Sequence, residues 1–139
     1  MLDIVSLAEQ TLTSGSNISF DTNRVATSCT AQHLAGSPSI VLNRPGYYYV
    51  SFNTIAVANE ATETEPITVQ LYNEDDVIEG AVASELSATN TETINLSFST
   101  IVRVRSSCCI VDNTGILTFK STGADAVFTT PNVVVFYID

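Results

Sequence analysis

The sequence predicts an all-β fold of antiparallel strands, arranged as a sandwich or a barrel. Three observations lead to that prediction. Helical periodicity is nearly absent, short segments rich in Val, Ile, Thr and Tyr recur along the chain, and turn-forming residues separate them. Eight or so short strands with regular turns are typical of both architectures.

The predicted strands follow one another along the whole chain. In chain order they are "SNISFDT" (16–22), "VATSCTAQHL" (25–34), "SIVLN" (39–43), "YYYVSFNTIAVA" (47–58), "ITVQLYN" (67–73), "INLSFSTIVRV" (94–104), "ILTFKS" (116–121) and "NVVVFYID" (132–139). Gly, Pro, Asn and Asp residues lie between them, as turns require. The segment "IVSLAEQTL" (4–12) is short and fits a helix or a strand, so residues 1–10 form either an N-terminal arm or a first strand.

Length and composition favour one packed domain over residues 1–139. Hydrophobic residues make up 45% of the chain and charged residues 14%, a balance that opposes disorder. A domain of this size buries roughly two-thirds of its unfolded surface. It therefore needs neither a metal nor a disulfide to build a core.

The net charge of -10 argues against two classes of partner. Nucleic acids and anionic membranes are bound mainly through Lys and Arg, and the chain has only five of these against fifteen acids. No apolar stretch is long enough to span a bilayer. The segment "MLDIVSLAEQ" (1–10) lacks the basic region of a secretory signal. If the protein leaves a cell, we expect it to do so by lysis, inside a larger particle, or by a route that has no signal in this sequence.

Two predicted strands are apolar on both faces. In "YYYVSFN" (47–53), Tyr48, Val50 and Phe52 share one face, and Tyr47 and Tyr49 lie on the other. Residues 133–138 of the strand 132–139 are also apolar on both faces, whereas the strand 94–104 alternates, which predicts that one of its faces meets solvent. An opposite sheet covers only one face of a strand. The second face therefore predicts self-association.

Catalytic chemistry has little support. His33 is the only histidine, no G-x-S-x-G motif is present, and "AQHLAG" (31–36) predicts a hydrogen-bonded imidazole at a strand end. We expect no enzyme activity and no cofactor. The acids Glu74, Asp75, Asp76 and Glu79 predict a polar hairpin turn, with a weak calcium site as the alternative.

The cysteines leave three interpretations open. Cys29, Cys108 and Cys109 are an odd number, and the adjacent pair should point to opposite faces of a strand. Free thiols, one disulfide that involves Cys29, or a metal site are each consistent with this spacing. The metal site is the weakest of the three, because no C-x-x-C pair or histidine at ligand spacing accompanies the cysteines.

A set of motifs carries a family resemblance. They are "FDTNRV" (20–25), "PGYYYVSFN" (45–53), "VQLYN" (69–73), "TIVRVRSSCC" (100–109), "VDNTGILTF" (111–119) and "NVVVFYID" (132–139). In this order they resemble the jelly-roll head shared by tumour necrosis factor and the complement globular heads. The chain is most similar to the small heads of bacterial collagen-like surface proteins and of bacteriophage virion proteins, roughly from Leu7 to Asp139.

The resemblance implies an antiparallel two-sheet jelly-roll sandwich that forms a homotrimer, with aromatic residues of the inner sheet at the subunit contact. Carried onto this chain, the implied trimer interface consists of Tyr47, Tyr49, Ser51, Val133, Val135 and Tyr137.

The implied function is that of a non-enzymatic structural module of a phage virion, which decorates the capsid or forms a fibre head at the virion surface. The alternative is an adhesin or receptor-binding head on a bacterial surface, which contacts a host glycan or protein. The loops 59–66 and 74–80, the latter with Glu74, Asp75, Asp76 and Glu79, would then carry the ligand. No Gly-X-Y stalk and no secretion signal occur in the sequence, which favours the virion.

Overall fold

The computed structural model describes residues 1–27, 29–105 and 115–139. Within these ranges the chain forms β-strands and no α-helix. Accordingly, this part of the chain contains no helix able to cross a membrane. Residues 112–114 of the turn that the sequence predicts at 112–115 lie outside the described residues, as do Cys108 and Cys109.

The described strands pair into two sheets, and every pairing is antiparallel. The first sheet has the order β10 (Ile94–Val104), β7 (Gly46–Ala58), β12 (Ala126–Tyr137), β1 (Leu2–Val5) and β4 (Thr22–Ala26), and β2 (Gln10–Leu12) also pairs with β12. The second sheet has the order β5 (Ala31–His33), β6 (Ile40–Leu42), β11 (Gly115–Ser121), β8 (Ile67–Asn73) and β9 (Asp76–Glu85), and β3 (Ser16–Asn17) also pairs with β11.

This architecture confirms the predicted all-β, antiparallel sandwich. The segment 4–12 forms no helix: β1 ends at Val5 and β2 begins at Gln10. The predicted strand 25–34 is divided between the two sheets, because β4 belongs to the first sheet and β5 to the second. The hairpin predicted after "ITVQLYN" is present as the β8–β9 pair.

The core lies between the sheets and is filled by alternate residues of each long strand. In β7, Tyr48, Val50 and Phe52 are almost completely buried, as their shared face predicts. In β10, Leu96 and Val102 are buried in the same way. The predicted inward faces of these two strands are therefore confirmed.

An aromatic cluster joins the two sheets across the core. Phe119 of the second sheet stacks on Phe52 of the first with ring centroids 4.9 Å apart. The rings of Phe20 and Phe98 each lie 6.0 Å from Phe119. Such offset and edge contacts stabilise a core beyond the area they bury, so this cluster holds the sheets together.

A β-bulge in β12 exchanges its two faces. Between Thr129 and Asn132 this strand advances three residues while β7 advances two, and Thr130 has a φ of 47°. Ala126 and Phe128 are buried before the bulge, whereas Val133 and Val135 are buried after it. The extra residue therefore reverses which positions face the core.

Candidate functional site

The outward face of the first sheet carries a contiguous apolar surface. Tyr47 is 45% exposed, Ile101 58%, Phe136 40% and Ile138 49%, and Tyr49 lies half-buried among them. These five residues are called the aromatic face below. Isolated exposed hydrophobic residues are common, but a contiguous patch marks an interaction surface.

Strand register brings the aromatic face together. In the antiparallel pairs, Tyr49 of β7 lies directly opposite Ile101 of β10 on one side and Phe136 of β12 on the other. The rings of Tyr49 and Phe136 stack with centroids 4.9 Å apart. Directly opposite residues of neighbouring strands share a face and contact each other. Tyr49 is therefore the centre of this surface.

The same register shows that three of the six residues predicted for the trimer interface lie on the core face. Val133 lies opposite Phe52, Val135 opposite Val50, and Tyr137 opposite Tyr48, all of them on the core face. Val133 and Val135 are completely buried within the chain, and Tyr137 packs against the core. These three residues cannot contact a neighbouring subunit through the outward face, and their assignment to it was wrong.

Tyr47, Tyr49 and Ser51 do lie on the outward face, where the sequence placed them. The predicted set omitted Ile101, Phe136 and Ile138. The sequence contains a signal for two of these residues. Phe136 and Ile138 alternate with Val135 and Tyr137, so they form the second apolar face of the strand 132–139. Ile101 interrupts the otherwise polar outward positions of β10 in the same manner.

The glycine of "PGYYY" allows the end of the chain to pair with β7. The backbone N–H of Ile138 donates to the carbonyl oxygen of Tyr47, and that of Tyr47 donates to Asp139. Gly46 has a φ of 137°, and a Cβ on it would lie 2.5 Å from the Asp139 oxygen. Only glycine fits this approach, which positions Ile138 beside Tyr47.

Polar residues follow the aromatic face along the outward side of the sheet. Ser51 and Asn53 of β7 and Ser97 and Ser99 of β10 line a shallow depression of about 240 Å³ beside Tyr49. The aromatic face thus lies at the end of the sheet at which β7 begins and β12 ends, and the exposed Ile55 lies on the same side beyond the polar residues.

Most charged residues lie away from the aromatic face, which is bordered by Asp139 and Arg103 beside Tyr47. Residues 45–102 contain nine acids and no Lys or Arg, and these acids lie in loops, in the β8–β9 turn and on β9. Next to the aromatic face, the Arg103 guanidinium lies 5.7 Å from the Tyr47 ring centroid. Elsewhere on the outward face, Arg24 pairs with Asp3 at 3.2 Å. Copies of this acidic chain can therefore approach through this face with little charge repulsion.

The acidic residues predicted as a ligand loop form the β8–β9 turn and the start of β9. Asn73 pairs with Asp76, so Glu74 and Asp75 are the two turn residues, and both are exposed. Among the described residues, no three His, Cys, Asp or Glu side chains group closely enough to hold a metal ion. The calcium alternative, which needs converging oxygens, has no support in this geometry.

Replacing Glu74 with Gly is expected to stabilise the protein. Glu74 has a φ of 56°, a left-handed conformation that costs a side-chain-bearing residue about 1 kcal/mol relative to glycine. We expect Glu74→Gly to raise the free energy of unfolding by roughly 0.5–1 kcal/mol, measured by urea denaturation. Asp75→Gly is the matched control, because Asp75 has no positive φ; an equal gain there would refute the strain argument.

His33 has the structural role predicted from the sequence. Its Nδ1 is hydrogen-bonded to Asn23 and its Nε2 to the carbonyl oxygen of Ser37, at 2.7 Å. The edge of the Phe20 ring also contacts it, with centroids 6.1 Å apart. Cys29 is exposed, and both of its candidate partners lie outside the described residues. The three interpretations of the cysteines therefore stay open.

Among the described residues, two titratable groups have clearly displaced pKa values, and both have structural causes. The pKa of the Asp21 carboxyl is lowered, mainly because the backbone N–H of Leu7 donates to it. Burial raises the pKa of Tyr48, whose hydroxyl donates to the carbonyl oxygen of Arg44 at 2.7 Å. Neither group lies on the aromatic face, so neither indicates chemistry there.

No family model and no curated protein sequence matches the chain. Solved structures do match its fold. Murine APRIL at pH 8.5 superimposes with a TM-score of 0.62 and 12% identity over 96% of this chain and 95% of that one. Murine APRIL at pH 5.0 gives 0.58 and 9% identity, with 95% of each chain covered. The vertex protein P5 of phage PRD1 gives 0.56 and 11% identity over 99% of this chain and 96% of that one. At such identities the likeness concerns the fold alone, and that fold is the TNF-like jelly roll.

Proposed function

We propose that this chain is a non-enzymatic structural module that forms a homotrimer through its aromatic face and acts at the surface of a phage virion. The observation that carries the proposal is the aromatic face itself. Four large apolar side chains are each at least 40% exposed around the half-buried Tyr49. Leaving such a surface in water is unfavourable, and covering it with another copy removes the cost.

The composition of the aromatic face fits an interface between copies of the chain better than it fits a binding site for a small ligand. The aromatic face is broad and nearly uncharged, with stacked rings, as the central part of a protein interface commonly is. It has no buried polar group of the kind that orients a small ligand. Because a typical protein interface covers about 800 Å² on each side, a second copy of the chain can cover the whole aromatic face.

A threefold assembly sets a further requirement. A ring of three copies uses two different surfaces of each chain, so the aromatic face of one copy packs on another surface of the next. The acid-rich loops and β9 then remain available to solvent or to a different partner. This arrangement is consistent with the position of the nine acids outside the aromatic face.

Two considerations favour the virion over other locations. The sequence motifs resemble those of phage virion heads, and the fold is similar to that of a protein named as a phage vertex component. The adhesin alternative assigns binding to the exposed turn at Glu74 and Asp75 and to the loop 59–66. Binding of the isolated protein to a glycan array or to host cells would favour the adhesin. Labelling of purified phage particles by an immunogold-conjugated antibody against this chain would favour the virion.

The homotrimer is tested by light scattering coupled to size exclusion. We expect a molar mass three times that of the 14.9 kDa chain, stable on dilution to micromolar concentration. A folded monomer at that concentration would overturn the proposal. In that case the aromatic face would have to meet a different protein.

A further inference from the structure

Two residues of opposite charge flank Tyr47 at the end of the aromatic face. Arg103 of β10 lies opposite Tyr47 in the strand register, and its guanidinium is 5.7 Å from the Tyr47 ring centroid. On the other side of Tyr47, the carbonyl oxygen of Asp139 accepts from the Tyr47 N–H at 2.9 Å. Both charged residues are exposed. The aromatic face therefore has a positive border on the β10 side and a negative border on the β12 side.

These two charges do not pair within one chain. β10 and β12 lie on opposite sides of β7, so roughly 10 Å separates the two strands. Among the described residues, the one ion pair joins Arg24 of β4 to Asp3 of β1. Arg103 and Asp139 can therefore each pair with a group outside the chain.

A ring of three copies brings the two borders together. Such a ring uses two different surfaces of each chain. With the aromatic faces turned toward the threefold axis and the strands running along it, the β10 side of one copy meets the β12 side of the next. Rotation about the axis involves no shift along it, so residues at the same height in two copies meet. Arg103 and Asp139 share that height, because both lie beside Tyr47.

The apolar residues favour the β10 edge as the side that enters the contact. β10 is an edge strand of the first sheet, and its Ile101 is 58% exposed, the highest value in the aromatic face. Packing this edge on the neighbour brings the three aromatic faces together at the axis and covers Ile101 beside the neighbour's Phe136. The opposite edge strand, β4, is separated from the aromatic face by β1. Packing β4 on the neighbour would keep the aromatic faces of the copies apart.

We propose that Arg103 of one copy forms an ion pair with Asp139 of the next copy at each of the three contacts. The partner of this border is thus a second copy of the chain, selected by complementary charge. An ion pair at the rim of an interface contributes to the specificity and the register of association. It therefore fixes the height at which neighbouring copies meet. This inference rests on the proposed homotrimer.

Charge reversal of the intact protein tests the pair. Arg103→Glu would bring two carboxylates together at each contact, and Asp139→Arg would bring two cations together. We expect each variant to raise the protein concentration at which half of the trimer dissociates by about tenfold or more, measured by analytical ultracentrifugation at low ionic strength. The double variant Arg103→Glu with Asp139→Arg restores opposite charges and should return to within about threefold of the wild type. Loss of the Arg103 contact with the Tyr47 ring alone would not be rescued in this way.

Arg105→Glu is the matched control, because it changes the net charge equally at another exposed arginine. It should weaken the trimer less than Arg103→Glu does. Added salt should reduce the difference between Arg103→Glu and the wild type, since salt screens exposed charges. A trimer that Arg103→Glu leaves equally stable, or a double variant as weak as the single variants, would overturn the ion pair while the homotrimer stands. A monomeric wild type would overturn both proposals.

Discussion

Tyr49→Asp is expected to dissociate the proposed homotrimer into folded monomers. Tyr49 lies at the centre of the aromatic face, between Ile101 and Phe136. An aspartate there would place an unpaired carboxylate inside the subunit contact, which costs roughly 3 kcal/mol or more per site. Since about 1.4 kcal/mol corresponds to a tenfold change in affinity, each contact should weaken by a factor of about 100 or more. The molar mass from light scattering should fall to that of one chain.

The fold itself should tolerate this change. The Tyr49 side chain points away from the core, and its described ring contact is the stack on Phe136. Losing one such stack costs about 1 kcal/mol of stability. The monomer should therefore give a cooperative unfolding transition and the β-rich circular dichroism of the wild type.

Thr118→Asp provides the matched control for Tyr49→Asp. Thr118 is also half-buried, and it lies on the outward face of the second sheet, opposite Tyr72. Because Thr118 lies outside the aromatic face, the same charge introduced there should lower the molar mass less than Tyr49→Asp does. If Thr118→Asp dissociated the assembly and Tyr49→Asp did not, the contact would belong to the second sheet and the proposed interface would be wrong.

The faces of β7 and β10 were predictable because both strands alternate regularly along their length. Period-two patterning places Tyr48 inward and Tyr49 outward without any knowledge of the neighbouring strands. The core assignments of Val50 and Leu96 follow from the same rule and are confirmed by their burial.

The faces of β12 were not predictable in this way. Both faces of residues 132–139 are apolar, so only the pairing register decides which one meets the core. That register depends on the bulge at Thr130. The sequence "TTPN" (129–132) alone does not reveal whether β12 contains an extra residue at this point. The interface implied by the resemblance therefore includes Val133 and Val135, which face the core, and omits Phe136, which faces outward.

The acidic turn illustrates a different limit. Turn-forming residues between two strands predicted the β8–β9 hairpin correctly. Whether four nearby acids converge on a cation depends on the directions of their side chains, which spacing alone does not fix. In the structure Glu74, Asp75, Asp76 and Glu79 are all exposed and form no such group.

Phe119→Ala is expected to be among the most destabilising single changes in the chain. Phe119 is completely buried and contacts Phe52, Phe20 and Phe98. Removing its ring would leave a cavity between the two sheets, and such Phe→Ala changes cost about 3–5 kcal/mol. Because natural domains are stable by only about 5–15 kcal/mol, this change should remove a large part of the stability.

Phe136→Ala is the matched control for this prediction, because it removes the same side chain from the aromatic face instead of the core. Association stabilises a folded chain by mass action, so both changes are best measured by urea denaturation in the monomeric Tyr49→Asp background. There, Phe119→Ala should lower the free energy of unfolding by about 4 kcal/mol and Phe136→Ala by less than about 1 kcal/mol. In the wild-type background, Phe136→Ala should lower the molar mass more than Phe119→Ala does, because Phe136→Ala weakens the assembly. Equal stability losses from the two variants would mean that Phe136 supports the fold of the monomer, and the aromatic face could not then be a surface kept for assembly.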